Sequence, residues 1–442
     1  MATSSPQRIL VVGGGIAGLI AARRLTQAGH SVRILEAGPV PGGRVGQREV
    51  RGIRFNTGAR LLYPFSKPFN ALLEELDLTK DLIPIKGMSA RCYDVDSDWL
   101  VELMPGIKTL MTPGLSLADK ARFIAYGAQL LALRFKVSPD DATSAMAQDS
   151  VTLADYVRRH MGQRALDMMV NPVFRSTRSW DAKDISAAFF ASTMPHMLGL
   201  NTVNVFKNGM ASLPMALAAG LDVTCNATVL NIDVPASGPC TVTARIAGSD
   251  STLEADLVVS AVEGSLVKDL IPSLSAPDAA FFAGVRYNSL GIVHYKMRRQ
   301  LTPGMRFFTA RNSKTISTYQ QIKGDPDKGI SPQIYAQLTP EAAQHAAEHG
   351  LTDSMDKMMA EDVTALYPEL ARDCEDLHNQ WIARKLPVFY PGYGAAVRQF
   401  LDRRQAEPQR LYFCGDYLAQ SLVTGAAASG ERVAREVARR WN

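Results

Sequence analysis

The sequence predicts an α/β fold in which a nucleotide-binding domain is interrupted by a mixed α+β domain. Three observations predict it. Residues 8–36 run strand, glycine turn, helix, strand, acid, and residues 410–431 run strand, Gly-Asp, helix. Between those ends, residues from about 86 to 200 are richer in helical patterns and in methionine. The chain has 442 residues, enough for about three domain-sized units. Hydrophobic residues make up 46% and charged residues 21%, as in a soluble globular protein and unlike a disordered one.

Taken in order, Arg8-Ile-Leu-Val-Val12 reads as a short buried strand and Gly13-Gly-Gly15-Ile16-Ala17-Gly18 follows at once. Leu19 to Ala28 has helical periodicity, Gly29 ends it, and Ser31-Val-Arg-Ile-Leu35 is a second strand closing on Glu36 and Ala37. This is the order of a dinucleotide-binding βαβ unit. Gly13 permits the tight turn, and Gly15 lets the backbone approach a pyrophosphate at the positive helix N-terminus. Gly18 allows close packing of helix on sheet, and Glu36 would accept hydrogen bonds from an adenosine ribose. NAD and FAD share the unit, so these residues alone leave the choice open.

The next stretch, Glu36-Ala-Gly-Pro-Val-Pro-Gly42-Gly43-Arg44, resembles the ExxxxxGGR extension of the flavin amine oxidase superfamily. The resemblance implies FAD, with Arg44 against its phosphates, where a guanidinium forks onto phosphate oxygens. Asn56-Thr-Gly58-Ala59-Arg60 resembles the segment that passes under the isoalloxazine ring. Arg410-Leu-Tyr-Phe-Cys-Gly415-Asp416, then Val423-Thr424-Gly425-Ala426 opening the last helix, is similar to the C-terminal FAD motif. There the Gly-Asp meets the ribityl-phosphate region, and the helix dipole faces the flavin edge where negative charge collects on reduction.

Short strands are expected at Asp222-Val-Thr, Ala227 to Ile232, Thr241 to Arg245 and Ala255 to Ala261. By resemblance, Val229 lays its backbone against the adenine, Ala261 is a further FAD contact, and Pro387 lies near the flavin ring. Thr112 to Arg122, and Thr152 to Gly162 followed by Asn171-Pro172, look like protoporphyrinogen-oxidase-like members. The implied fold is a Rossmann-type FAD-binding domain of the GR2 type at 1–85, 202–283 and 376–442. The implied substrate-binding domain, a helical part plus sheet, takes 86–201 and 284–375.

The chain departs from the family's amine oxidases in two places. Ser421-Leu422-Val423 lacks one aromatic of their substrate cage, and Leu290 takes the place of the lysine beside flavin N5, leaving Lys296 as a strand-end lysine. Tyr390, Tyr393 and Leu422 are the substrate-facing candidates; no catalytic residue is assigned. The resemblance implies noncovalent FAD taking a hydride from a C–H next to nitrogen, in an amine or a ring CH–NH unit. O2 or another acceptor would reoxidise it, since no second GxGxxG suggests a built-in nicotinamide site. A carotenoid- or phytoene-type desaturase, or a flavin-binding protein without turnover, are the alternatives.

Composition excludes other classes. With 48 basic and 43 acidic residues the formal charge of +5 is too dilute for nucleic acid. The five cysteines form no CxxC or Cys/His cluster, and Cys414 reads as a buried structural thiol. His345 and His349 share a helical face without a third ligand, so no metal is expected. Residues 1–8 show no secretory signal, and Phe123 to Leu133 is too short to span a bilayer. A cytoplasmic protein with at most peripheral membrane contact is expected.

Overall fold

The computed structural model describes residues 6–104, 106–112, 114–406 and 409–441. Residues 1–5, Pro113 of the 112–122 segment and Asn442 therefore lie outside the described residues, together with the readings made on them. Two large sheets organise the rest.

The first is a five-stranded parallel sheet in the order Leu411–Phe413, Leu257–Ser260, Arg8–Val12, Ser31–Leu35, Asp222–Thr224. Its central strands are largely apolar because both faces are covered, one by helices and the other by an antiparallel sheet and the helices Ala276–Ala283 and Tyr393–Ala406. Helix Ile16–Gln27 packs on one face beside the last helix, Val423–Trp441. Gly430 makes that contact possible, since a Cβ there would lie 2.4 Å from the Ala17 carbonyl oxygen. Arg24 Nε bonds Glu431 Oε1 across the same crossing at 2.8 Å.

The strand expected at Ala255 to Ala261 is shorter: only Leu257–Ser260 enters the parallel sheet, while Ala255 ends a strand not expected from the sequence, Ser249–Ala255, which joins an antiparallel sheet with Ala227–Asp233 and Cys240–Ile246. The turn falls at Asp256, whose carboxylate accepts the Arg8 backbone N–H at 2.8 Å and pairs with the Arg8 guanidinium.

The second sheet has seven strands in the order Cys374–Pro387, Tyr287–Met297, Gln333–Leu338, Ile316–Ile322, Gly304–Phe308, Ser89–Asp94, Ser97–Glu102. All pairs are antiparallel except Gly304–Phe308 with Ser89–Asp94. The boundary expected at 375/376 falls inside the strand Cys374–Pro387, which pairs along its length with Tyr287–Met297.

A helical layer leans on this sheet. Helix Leu117–Leu133 starts at a capping box in which the Ser116 hydroxyl accepts the Asp119 N–H and the Asp119 carboxylate accepts the Ser116 N–H. Thr152 caps Leu153–Met161 by accepting the Asp155 N–H on its hydroxyl, and Ser186 caps Ala187–Met197 by accepting the Ala188 N–H. Helix Asn171–Arg178 ends in Ser179, a left-handed residue at φ 54°. None of the described helices is long and apolar enough to cross a membrane.

Candidate active site

Between the two sheets runs one continuous cavity of about 1040 Å³. The parallel sheet forms one end of it. Gly13 turns at φ +105°, and a Cβ there would meet the Ala261 carbonyl at 2.9 Å. Gly15 is the opposite case: a Cβ would meet no protein atom within 4 Å, because the position opens into the cavity. The N-terminus of helix Ile16–Gln27 points into the same space, with Ile16 and Ala17 on the wall. Glu36 lies beyond, its carboxylate accepting the Gly14 and Gly38 N–H groups at 2.7 Å each. The acid thus holds the glycine turn as well as facing the cavity, which the motif alone did not indicate.

Arg44 crosses to the far end of the chain. Its guanidinium donates to both Asp416 carboxylate oxygens at 2.9 and 3.0 Å and to the Lys385 carbonyl at 2.9 Å. Burial works against its charge, yet Asp416 carries its pKa above the ordinary arginine value. The last helix opens on the cavity through Val423, Thr424 and Ala426, and Thr424 Oγ1 is buried without a partner. An open glycine cradle, two helix N-termini and an orphan hydroxyl on one cavity fit a phosphate-bearing flavin dinucleotide. Among the described residues no cysteine lines the cavity, and burial pushes the Cys414 thiol up to about 12.

The other expected positions are brought to this wall too: Ala37, Gly43, Gly58, Ala59, Arg60, Val229, Ala261, Gly415, Leu290 and Leu422. Gly18 sits behind it, packed on Gly13 and Ala261.

Three expectations need correction. Tyr390 and Tyr393 do not face the cavity. After Pro387 the chain turns away, Val388 N–H bonding the Arg286 carbonyl and the Phe389 carbonyl accepting the Ser186 N–H. Tyr393 is then 1% exposed inside the aromatic core, donating to the Tyr417 carbonyl at 3.1 Å. Tyr390 donates to the Gly284 carbonyl at 3.0 Å. Pro387 is also behind the wall, its carbonyl accepting the Ser421 hydroxyl at 2.8 Å; Lys385 and Leu386 take its place on the cavity.

Sequence reasoning missed a polar group at the end of helix Asn171–Arg178. Lys385 Nζ donates to the Thr177 carbonyl at 3.2 Å and to Ser179 Oγ at 3.0 Å. Burial lowers its pKa well below the ordinary lysine value, and the neighbouring Arg60 and Arg178 lower it further. Arg60 donates to the Tyr335 hydroxyl at 2.7 Å and lies over that ring. Arg178 lies against Tyr63 and Phe189. Among the described residues no carboxylate pairs with Arg60, Arg178 or Lys385, and all three line the cavity. No local signal marks Lys385, because its partners come from a helix end some 200 residues earlier.

His294 was also missed. It is 4% exposed, and its Nε2 lies 2.9 Å from Gln380 Oε1. The Gln380 amide nitrogen donates to the Asn56 carbonyl, so its oxygen must accept and His294 Nε2 carries the proton. Burial lowers the His294 pKa to about 4, with Arg60 and His378 adding to the effect against the Gln380 bond. The unfolded chain takes up a proton near 6.5 that the folded one refuses until about 4, so stability is lost as pH falls through that window. Acidification from pH 7 to 5 should remove about 2 kcal/mol through this residue. Urea denaturation of wild type and His294→Gln at both pH values checks it; equal losses in the two proteins would place the effect elsewhere.

The remaining readings fall outside the cavity. Lys296 pairs with Glu375 at 2.7 Å. The His345 and His349 rings lie tilted with centroids 4.1 Å apart, and the described residues contain no group of three metal-ligating side chains.

Comparison with known proteins agrees with this geometry. A family profile described as flavin containing amine oxidoreductase matches residues 16–438. The chain is 28% identical over 185 residues to protoporphyrinogen oxidase 2, chloroplastic/mitochondrial, of Arabidopsis thaliana, covering 41% of this chain and 34% of that protein. The match thus spans about a third of that relative's length. The flavin-dependent L-tryptophan oxidase RebO of Lentzea aerocolonigenes is 24% identical over 489 aligned positions, 98% of each chain. Among solved structures, cyclohexylamine oxidase from Brevibacterium oxydans IH-35A matches with a TM-score of 0.70 at 17% identity, over 98% of this chain and 99% of that one. At that identity the likeness speaks for the fold.

Proposed function

Since the chain belongs to the flavin-containing amine oxidoreductase family, and is an FAD-dependent oxidoreductase, we propose that it oxidises a carbon next to nitrogen in a small, largely apolar substrate carrying an anionic group. The observation that carries this reading is the set of three basic side chains without a carboxylate partner, Arg60, Arg178 and Lys385, on a cavity wall that is otherwise mostly apolar.

The chemistry FAD supplies when bound is acceptance of a hydride from the substrate carbon. Gly15, Glu36, Arg44, Asp416 and Thr424 would hold it. Leu290, Ile382, Leu386 and Leu422 exclude water from the neighbouring wall. Desolvation there favours the neutral amine, whose adjacent C–H is the more hydridic. The carbon gives up a hydride and the nitrogen a proton to solvent, leaving an imine or a more conjugated ring. Arg60 and Lys385 orient the substrate by its anionic group, and the bound anion favours the charged form of Lys385. On this reading residues 1–85 and 202–283 with the C-terminal segment bind FAD, and the remainder shapes the substrate.

Anaerobic bleaching of the flavin by amines with and without a carboxylate, by porphyrinogens and by polyenes tests the reading. Carboxylate-bearing amines should bleach it fastest, with peroxide released when air is admitted. Bleaching by polyenes alone would replace it with a desaturase. Lys385→Met should raise KM for the anionic substrate by the loss of a charge-assisted hydrogen bond, about 1.5–3 kcal/mol, and leave a neutral analogue nearly unchanged. Equal effects on both would remove Lys385 from anion binding.

A further inference from the structure

Twelve large hydrophobic side chains are exposed among the described residues, and six of them fall between positions 107 and 135: Ile107, Met111, Leu117, Ile124, Leu131 and Phe135. The helix Leu117–Leu133 has apolar residues on two opposite sides. Tyr126 and Leu130 pack inward on the helical core. At 100° per residue, Leu117, Ala121, Ile124, Ala128 and Leu131 line the other side, all exposed, and Phe135 just beyond the helix is 91% exposed. Such a face is costly to leave against water.

The charge around this face is one-sided. Residues 107–136 contain Lys108, Lys120, Arg122, Arg134 and Lys136 against a single acid, Asp119, which is buried and used in the helix cap. By angle, Lys120 and Arg134 border the apolar stripe on one side and do not interrupt it. A second copy of the chain would bring two like-charged rims together. An anionic surface with an apolar interior answers both features.

We propose that the 107–135 face docks on the surface of an anionic lipid bilayer, its apolar residues entering the headgroup–acyl boundary and its basic rim meeting the lipid phosphates. The helix lies in the interface and does not cross it, consistent with its 17 residues. The docked face borders the cavity: Leu103 and Met104 line the cavity and lead into Ile107–Met111, and Leu115 packs in a cluster with cavity-lining Met305 and Phe307. Docking there would set the apolar end of the cavity next to the lipid.

The test uses the flavin-loaded full chain and vesicle sedimentation. Wild type should sediment with vesicles of phosphatidylcholine containing roughly 30% phosphatidylglycerol, far less with phosphatidylcholine alone, and less at high salt. Ile124→Glu/Leu131→Glu/Phe135→Glu, all at exposed positions, should lower binding at least tenfold while flavin content and thermal stability stay as in wild type. Lys108→Gln/Lys120→Gln/Arg134→Gln/Lys136→Gln should remove the preference for anionic vesicles. Wild type left in the supernatant with both vesicle types would overturn the proposal. So would undiminished binding by the triple glutamate variant, or a dimer in gel filtration that the same variant converts to monomer.

Discussion

Gly18→Ala should yield protein that purifies with little or no flavin and melts well below wild type. The added Cβ would stand 2.1 Å from the Gly13 carbonyl oxygen and 3.0 Å from the Ala261 Cβ. Neither neighbour is a flexible side-chain end. Gly13 is backbone held at φ +105° in the turn, and Ala261 continues the central strand Leu257–Ser260. Relief requires the helix Ile16–Gln27 to move off the sheet, which carries Gly15 out of the cradle. Overpacking of this kind typically costs about 1–3 kcal/mol, and loss of a ligand that binds only the folded state lowers the apparent stability further. The control is Gly127→Ala. There a Cβ meets nothing within 4 Å and the glycine is inside a helix, so the same substitution should stabilise by roughly 0.5–1 kcal/mol. The ratio of flavin to protein absorbance and the melting temperature of each variant decide the matter. Full flavin content in Gly18→Ala would show that the turn yields more easily than its contacts imply.

Arg44→Met and Asp416→Leu should each destabilise the apoprotein by roughly 3–5 kcal/mol, because each strands the other's charge in the interior. The Asp416 side chain is 8% exposed and Arg44's 29%, so Arg44→Met, which leaves the more deeply buried charge alone, should be the worse of the two. The double variant should lose much less than the sum of the singles, since neither charge remains. FAD content should not recover with stability, because Arg44 and Asp416, both proposed above to hold FAD, are gone. Urea denaturation of all four proteins gives the coupling energy directly. Additive losses would mean that the pair is held by its surroundings rather than by its own attraction.

The parallel sheet was readable because its signals are local. Arg8–Val12 and Ser31–Leu35 are apolar runs on either side of a glycine turn, and a strand buried on both faces needs no partner to announce itself. Ser249–Ala255 hid for the converse reason: it is an exposed polar edge strand, without the alternation that marks a half-buried one. The glycine-rich end of the cavity was legible because its motifs are local. The opposite wall was not. Lys385, His294 and Tyr335 come from three strands of the seven-stranded sheet, and Arg178 from a helix end, so only register brings them together. Tyr390 and Tyr393 misled because aromatic residues after a cavity-lining strand look the same in sequence whether the chain continues along the wall or turns into the core.

The crossing of the first and last long helices bears on how the protein is made. The strand Arg8–Val12 emerges early, but the parallel sheet is completed by Leu411–Phe413 and covered by Val423–Trp441. At about 5–20 residues per second, the first βαβ unit leaves the ribosome roughly 20–80 seconds before its covering helix exists. Its strands gain edge partners earlier, from Asp222–Thr224 and Leu257–Ser260, but the face that Val423–Trp441 covers stays open through the whole interval, a burden for chaperones. Splitting the chain near residue 400 and supplying the C-terminal piece separately should therefore limit the yield of folded protein more than any single substitution in the middle sheet.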